Sequence, residues 1–177
     1  AVIPIAGDQV TNDIAIALHT PSQSAEEIKM KYGSSLVDLV KNDQSFEAKS
    51  IGDRPNIPVS QKELALIIGP RYEELFVIVQ AELRRAGFQD RIAAGIVLTG
   101  GAAKMKGVVS LAETVFKMPV RLGSPQHVHG APEISGNPIY STGVGLLLYG
   151  QRQQQYQIPR DNNSTWQRMR RWFQANF

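Results

Sequence analysis

The 177-residue chain contains no cysteine, only two tryptophans and only three histidines. Without thiols it has no disulfide scaffold, no thiolate nucleophile and no cysteine-ligated zinc. No apolar run approaches the roughly 18–20 residues of a membrane-spanning helix. The longest candidate, around Val144 to Tyr149, is far too short. Any work at a membrane therefore falls to a surface segment. His127 and His129 stand two apart in a Gly/Pro loop without further ligands nearby, and read as loop residues rather than a metal site. No Ser/His/Asp arrangement with triad logic is visible. Net charge is also scarce on the body of the chain. Residues 1–150 carry 14 basic and 15 acidic side chains, whereas 151–177 carry five arginines against Asp161. The basic character thus belongs to the tail. A nucleic-acid groove, which needs its basic residues on the folded body, is not expected.

What remains is 42% hydrophobic and 20% charged residues, enough for one soluble domain and incompatible with a wholly disordered chain, a collagen or a membrane bundle. Ala1 to Gly7 reads as the end of a buried strand entering a helix at Asp8, so the chain is expected to begin mid-domain as part of something longer. Val10, Ile14, Ala17 and Leu18 predict a helix over 8–19. Ser22 or Ser24 caps a second helix through Ala25–Tyr32, ended by Gly33. Alternation at Phe46, Ala48 and Ser50 predicts a strand, and Ile57-Pro58-Val59 an edge strand. Ser60 and Glu63 form a capping-box pattern for a long helix. That helix is expected to break at Gly69-Pro70 and to resume through Tyr72, Leu75, Phe76, Val79 and Leu83 to Gly87.

Ala94 to Thr99 is an uncharged run that predicts a parallel strand buried on both faces. Gly100-Gly101 is expected to turn directly into a helix carrying Met105 to Phe116, followed by a returning strand at 119–122 and a loop over 123–139. Ser141-Thr142 caps a small-residue helix to Leu148. This succession is α/β. A diglycine at a strand's end lets a flat ring or a phosphate approach the backbone, and a following helix N-terminus favours negative charge. On physics alone it is equally an ordinary tight turn.

The segment Ala94 to Gly107, an apolar strand ending in Thr99-Gly100-Gly101 with a further glycine later, resembles the adenosine motif of the actin-like ATPases. Ala25-Glu26-Glu27-Ile28-Lys29 is similar to the bacterial-actin segment whose Glu and Lys face adenine and ribose, and Pro138 to Leu146 to the fold's last connecting helix. In that order and spacing, over almost the whole chain, the motifs resemble the FtsA family of bacterial cell-division proteins. The resemblance implies an actin-like (ribonuclease H-like) lobe, with 1–20 and 92–150 in a large subdomain and 21–91 in a small α+β subdomain. It implies ATP as ligand, bound by Gly7, Glu26, Lys29, Gly100, Gly101 and Ala102. The phosphate hairpins and the magnesium side are expected before residue 1, so the chain alone is expected neither to hydrolyse ATP nor to hold it tightly.

Residues 151–163 are polar and predict a flexible linker. Beyond it, over 164–177, Trp166, Met169, Phe173 and Phe177 share one face of a predicted amphipathic helix, with Trp172 on its flank. Arg168, Arg170 and Arg171 flank or oppose that face, which suits an anionic bilayer surface. The ordinary alternative is a helix docked on its own domain. The resemblance further implies contact of Arg71 and Glu74 with the FtsZ tail, although as a pair three residues apart they also read as an intrahelical surface ion pair. It implies self-association into filaments, other divisome partners and a place on the cytoplasmic face of the inner membrane at the division site. The competing readings within the actin-like superfamily are a kinase and a pilus-assembly ATPase. A kinase needs a catalytic Asp that is not identifiable here, and the arginine-rich tail argues against both.

Overall fold

The computed structural model describes residues 1–52, 54–88, 91–126, 128, 132–156 and 174. By contact the chain divides into a unit spanning Ala1–Ser141 and a second spanning Thr142–Phe177.

In the first unit, helix α1 (Gly7–Ala17) buries Val10 and Ile14. The expected strand before it does not form: Val2 is almost fully exposed and residues 1–5 run without regular structure. Pro4 lacks the N–H a ladder needs, and no described strand lies alongside. Helix α2 (Ser22–Tyr32) starts from Pro21 rather than from a capping serine, because Ser22 already occupies the first helical position. Gly33 ends α2 in extended backbone, where a Cβ would stand 2.9 Å from Met105 Cε. Strands β1 (Ser45–Ala48) and β2 (Ile57–Ser60) pair antiparallel, with Phe46 opposite Val59.

Helix α3 (Gln61–Arg85) opens with the expected box: Ser60 Oγ accepts from Glu63 N–H at 3.2 Å, and the Glu63 carboxylate accepts from Ser60 N–H at 2.8 Å. It does not break at Gly69-Pro70 but runs through as one helix of 25 residues. Buried Leu64, Ala65 and Ile68 before the proline and Tyr72 and Phe76 after it anchor both halves in the same core, and that packing outweighs one missing helical hydrogen bond. The end is a Schellman motif: Phe88 N–H donates to Leu83 O and Gly87 N–H to Arg84 O, both at 3.0 Å, with Gly87 at φ +69°.

Strands β3 (Ile96–Leu98) and β4 (Val120–Leu122) pair in parallel, joined by helix α4 (Val108–Phe116). The expectation that β3 is buried on both faces fails, since Val97 is 49% exposed. Among the described residues its sheet has two strands, so each is an edge strand. Nor do Gly100-Gly101 lead straight into a helix. A 3-10 turn (Ala102–Lys104) intervenes, and α4 begins only after Gly107 at φ +84°. The stretch expected as loop includes helix α5 (Pro132–Ser135) and a 3-10 turn (Pro138–Tyr140).

A single hydrophobic cluster joins α1, α2, β1, β2, α3, α4 and β4. Helix α6 (Ser141–Tyr156) runs well past Leu148 and through 151–156, where polar composition predicts a linker. Glutamines are good helix formers once a preceding helix supplies the nucleus. The residues expected to meet a membrane (Trp166, Met169, Arg170, Arg171, Trp172, Phe173 and Phe177), the rest of the expected linker (157–163), and His127 and His129 lie outside the described residues.

Candidate functional site

The residues that matter come from three separate stretches of chain. Lys29 is an α2 residue with its side chain 11% exposed, and its ammonium donates to Gly7 O at 3.1 Å and to Thr11 Oγ1 at 2.8 Å. It also pairs with Glu26 Oε2 at 2.5 Å, one turn earlier on the same helix. Thr11 in turn donates to the Glu26 carboxylate. Burial by itself pushes the Glu26 carboxyl up, but the hydrogen bonds from Lys29 and Thr11 and the ammonium charge outweigh it and hold Glu26 below the ordinary carboxylate range. Glu26 and Lys29 are thereby clamped to the start of α1.

The third stretch is the turn after β3. Gly100 has φ +91°, a left-handed conformation that glycine adopts without strain, and its N–H donates to Pro138 O at 3.1 Å. Gly101 has ordinary helical angles, and a Cβ there would meet only Ile139 Cγ1 at 3.8 Å. The openness of Gly101 therefore lies towards a cavity rather than towards packed protein. Ala102 follows, and its carbonyl accepts from the buried Tyr72 hydroxyl at 2.9 Å.

These stretches enclose a cavity of about 770 Å³. Five of the six residues assigned to nucleotide by resemblance line it: Gly7, Glu26, Lys29, Gly101 and Ala102. Gly100 does not, and shapes the turn from behind. The sequence reading missed Asp8, Lys31, Tyr72, Lys104 and Lys106 on the same walls, along with apolar Met30, Met105 and Ile139. Lys104 and Lys106 were within reach of a charge argument, since both follow the diglycine within five residues. Tyr72 was not, since its hydroxyl meets a carbonyl 30 residues away. Four lysines against two carboxylates leave the lining net positive. With the methionine and isoleucine surface this suits a ligand having an anionic end and a flat apolar end. Among the described residues no group of three His, Cys, Asp or Glu side chains is placed to hold a metal ion.

Arg71 and Glu74 lie on α3, away from these walls. They do pair, Nη1 to Oε2 at 2.6 Å, as the intrahelical reading expects. The rest of the guanidinium is also engaged: Nε and Nη2 grip Asp13 of α1 in bidentate fashion at 2.6 and 2.9 Å. Asp13 was not foreseen, because nothing local links positions 13 and 71.

A family model described as "FtsA: Cell division protein FtsA" matches residues 1–145. A cell division protein FtsA of Pseudomonas aeruginosa is 52% identical over 188 residues, covering 100% of this chain and 45% of its own length. An FtsA of Escherichia coli K12 is 45% identical over 156 residues, 84% of this chain and 37% of that protein. An FtsA of Neisseria meningitidis serogroup B is 37% identical over 188 residues, covering 100% of this chain and 45% of that protein. The chain thus spans less than half the length of these relatives. Among solved structures, MreB 5 of Spiroplasma citri bound to AMPPNP superposes with a TM-score of 0.68 at 16% identity, over 86% of this chain and 46% of that one. At that identity the likeness is one of fold, and it places this chain among actin-like α/β lobes.

Proposed function

The chain belongs to the FtsA family, and from that premise we propose that it supplies the adenosine-side wall of an ATP site in a division protein that tethers FtsZ polymers to the membrane. The observation that carries the nucleotide part is the convergence of Gly7, Glu26, Lys29, Gly101 and Ala102, from three distant stretches, on one cavity with a net positive lining. In this reading Glu26 and Lys29 are pre-set, each fixed by the other and by Thr11, so little side-chain freedom is lost when a ribose arrives. Gly101 leaves the backbone open to the base. Residues for the phosphates' magnesium are assigned to the half of the relatives that this chain does not span. The MreB 5 structure of the same fold holds AMPPNP, which supports a nucleotide over other anions. Family membership gives the kinase and pilus-assembly readings no support.

The partner and membrane parts of the proposal rest on the family and on the tail's composition. Arg71 with Glu74 is the proposed contact for the FtsZ tail, and residues 164–177 the proposed foot on anionic inner-membrane lipid, at the cytoplasmic face of the division site. Filament formation with further copies and contacts with other divisome proteins belong to the same reading.

The test is titration of ATP into the completed protein, meaning these residues joined to the part of the 52% identical relative that this chain does not cover. Micromolar or tighter binding is expected. Gly101→Asp, which adds a carboxylate where a Cβ has open space, should weaken that binding at least tenfold with the fold intact. Wild-type affinity in the Gly101→Asp protein removes the glycine turn from the site.

A further inference from the structure

We propose that Tyr72 is a positioning residue of this cavity, holding the turn after β3 from behind so that Gly101 and Ala102 face the ligand. The proposal rests on the nucleotide reading above and adds to it a residue that the motifs do not contain.

Tyr72 is 4% exposed. Its ring leans on Phe76 at 6.2 Å between centroids, and Phe76 on Phe116 of α4 at 5.5 Å. This aromatic row fixes the ring, leaving the hydroxyl as the one polar tip at the cavity wall. That hydroxyl donates to Ala102 O at 2.9 Å. The same carbonyl also accepts from Met105 N–H at 3.3 Å, and Gly101 O accepts from Lys104 N–H at 3.1 Å. Both lone pairs of Ala102 O are thus used, one within the 3-10 turn and one to α3.

The turn needs such a tie. It is one short 3-10 turn between two left-handed glycines, Gly100 and Gly107, and its backbone has little intrinsic preference of its own. Ala102 is exposed and lines the cavity, so side-chain packing does not orient it. The phenol supplies a fixed donor instead. Burial, and then the negative charge of Glu26 across the cavity, push Tyr72 up to about 12, so the hydroxyl stays protonated and donating throughout the physiological range. The next residue back, Arg71, ties α1 to the same helix through Asp13. Neighbouring residues of α3 therefore brace two of the three stretches that form the cavity.

Tyr72→Phe removes the hydroxyl and keeps the ring. In the completed protein, ATP is titrated calorimetrically, the apo melting temperature is recorded, and exchange of the Lys104 and Met105 amides is followed without ligand. The expected result is ATP binding weakened about three- to tenfold, the size of one lost hydrogen bond, with the melting temperature lowered by no more than a few degrees and faster exchange confined to those amides. A purely structural role would lower the melting temperature and leave the ligand-induced shift intact. Wild-type ATP affinity in Tyr72→Phe overturns the role of Tyr72 while the cavity reading stands. Failure of the unsubstituted protein to bind ATP overturns both, and the two failures are told apart by that control.

Discussion

Glu26 and Lys29 lie one helical turn apart, a spacing that on a solvent-facing helix contributes a few tenths of a kcal/mol. Here Thr11 and the Gly7 carbonyl join them, and the group becomes a small network on the cavity wall. Its pH signature follows from the direction of the Glu26 shift. Folding holds the carboxyl below its ordinary 4.5, so the folded state binds its proton less readily than the unfolded chain. The stability that the ionised carboxylate contributes is fully present above about 4.5 and is lost as pH falls through the lower, folded-state value. Wild type should therefore exceed Glu26→Gln in urea-denaturation stability at pH 7 by about 0.5–1 kcal/mol, a surface-pair magnitude. The gap should close on acidification below pH 4.5. A gap that stays constant down to pH 3 contradicts the network.

Among the elements, α3 is where sequence and structure part most instructively. Its capping box, its terminal glycine and its apolar stripe are local features, and all three could be read from the chain. Its continuity through Pro70 could not, because that depends on a core assembled from α1, α2, β1 and α4 around it. The site divides in the same way. Gly101, Glu26 and Lys29 sit in recognisable local motifs, whereas Tyr72 and Asp13 matter only through partners 30 and 58 residues away. Asp13 changes how the proposed FtsZ contact is to be tested. Arg71→Glu alone is ambiguous, since it both alters the contact and sets two carboxylates against a third. Asp13→Asn separates the effects. It loosens the tie between α1 and α3, lowering the melting temperature slightly, and it leaves Arg71 freer for an incoming carboxylate. FtsZ tail peptide should then bind about two- to fivefold tighter, measured by fluorescence anisotropy. Weaker binding in Asp13→Asn argues that peptide recognition uses the α1–α3 arrangement and not the guanidinium.

For the whole molecule, the division after Ser141 sets the α/β body apart from a segment whose arginines carry the chain's net positive charge. One short amphipathic helix binds lipid weakly, so useful anchoring in this reading requires many copies on one polymer. Deleting 164–177, or Trp172→Glu, should shift the completed protein from the pellet to the supernatant in co-sedimentation with anionic vesicles, at least tenfold at low salt. Equal co-sedimentation removes the tail as anchor. The course of α6 bears on how such an anchor acts. Helix α6 opens at Ser141, whose hydroxyl accepts from Thr99 at the end of β3, one residue before the glycine pair. The six residues 151–156, extended, would reach about 20 Å. As helix they rise only about 9 Å and do not stretch. The first six residues of the expected tether therefore contribute less than half of the reach that their number would allow.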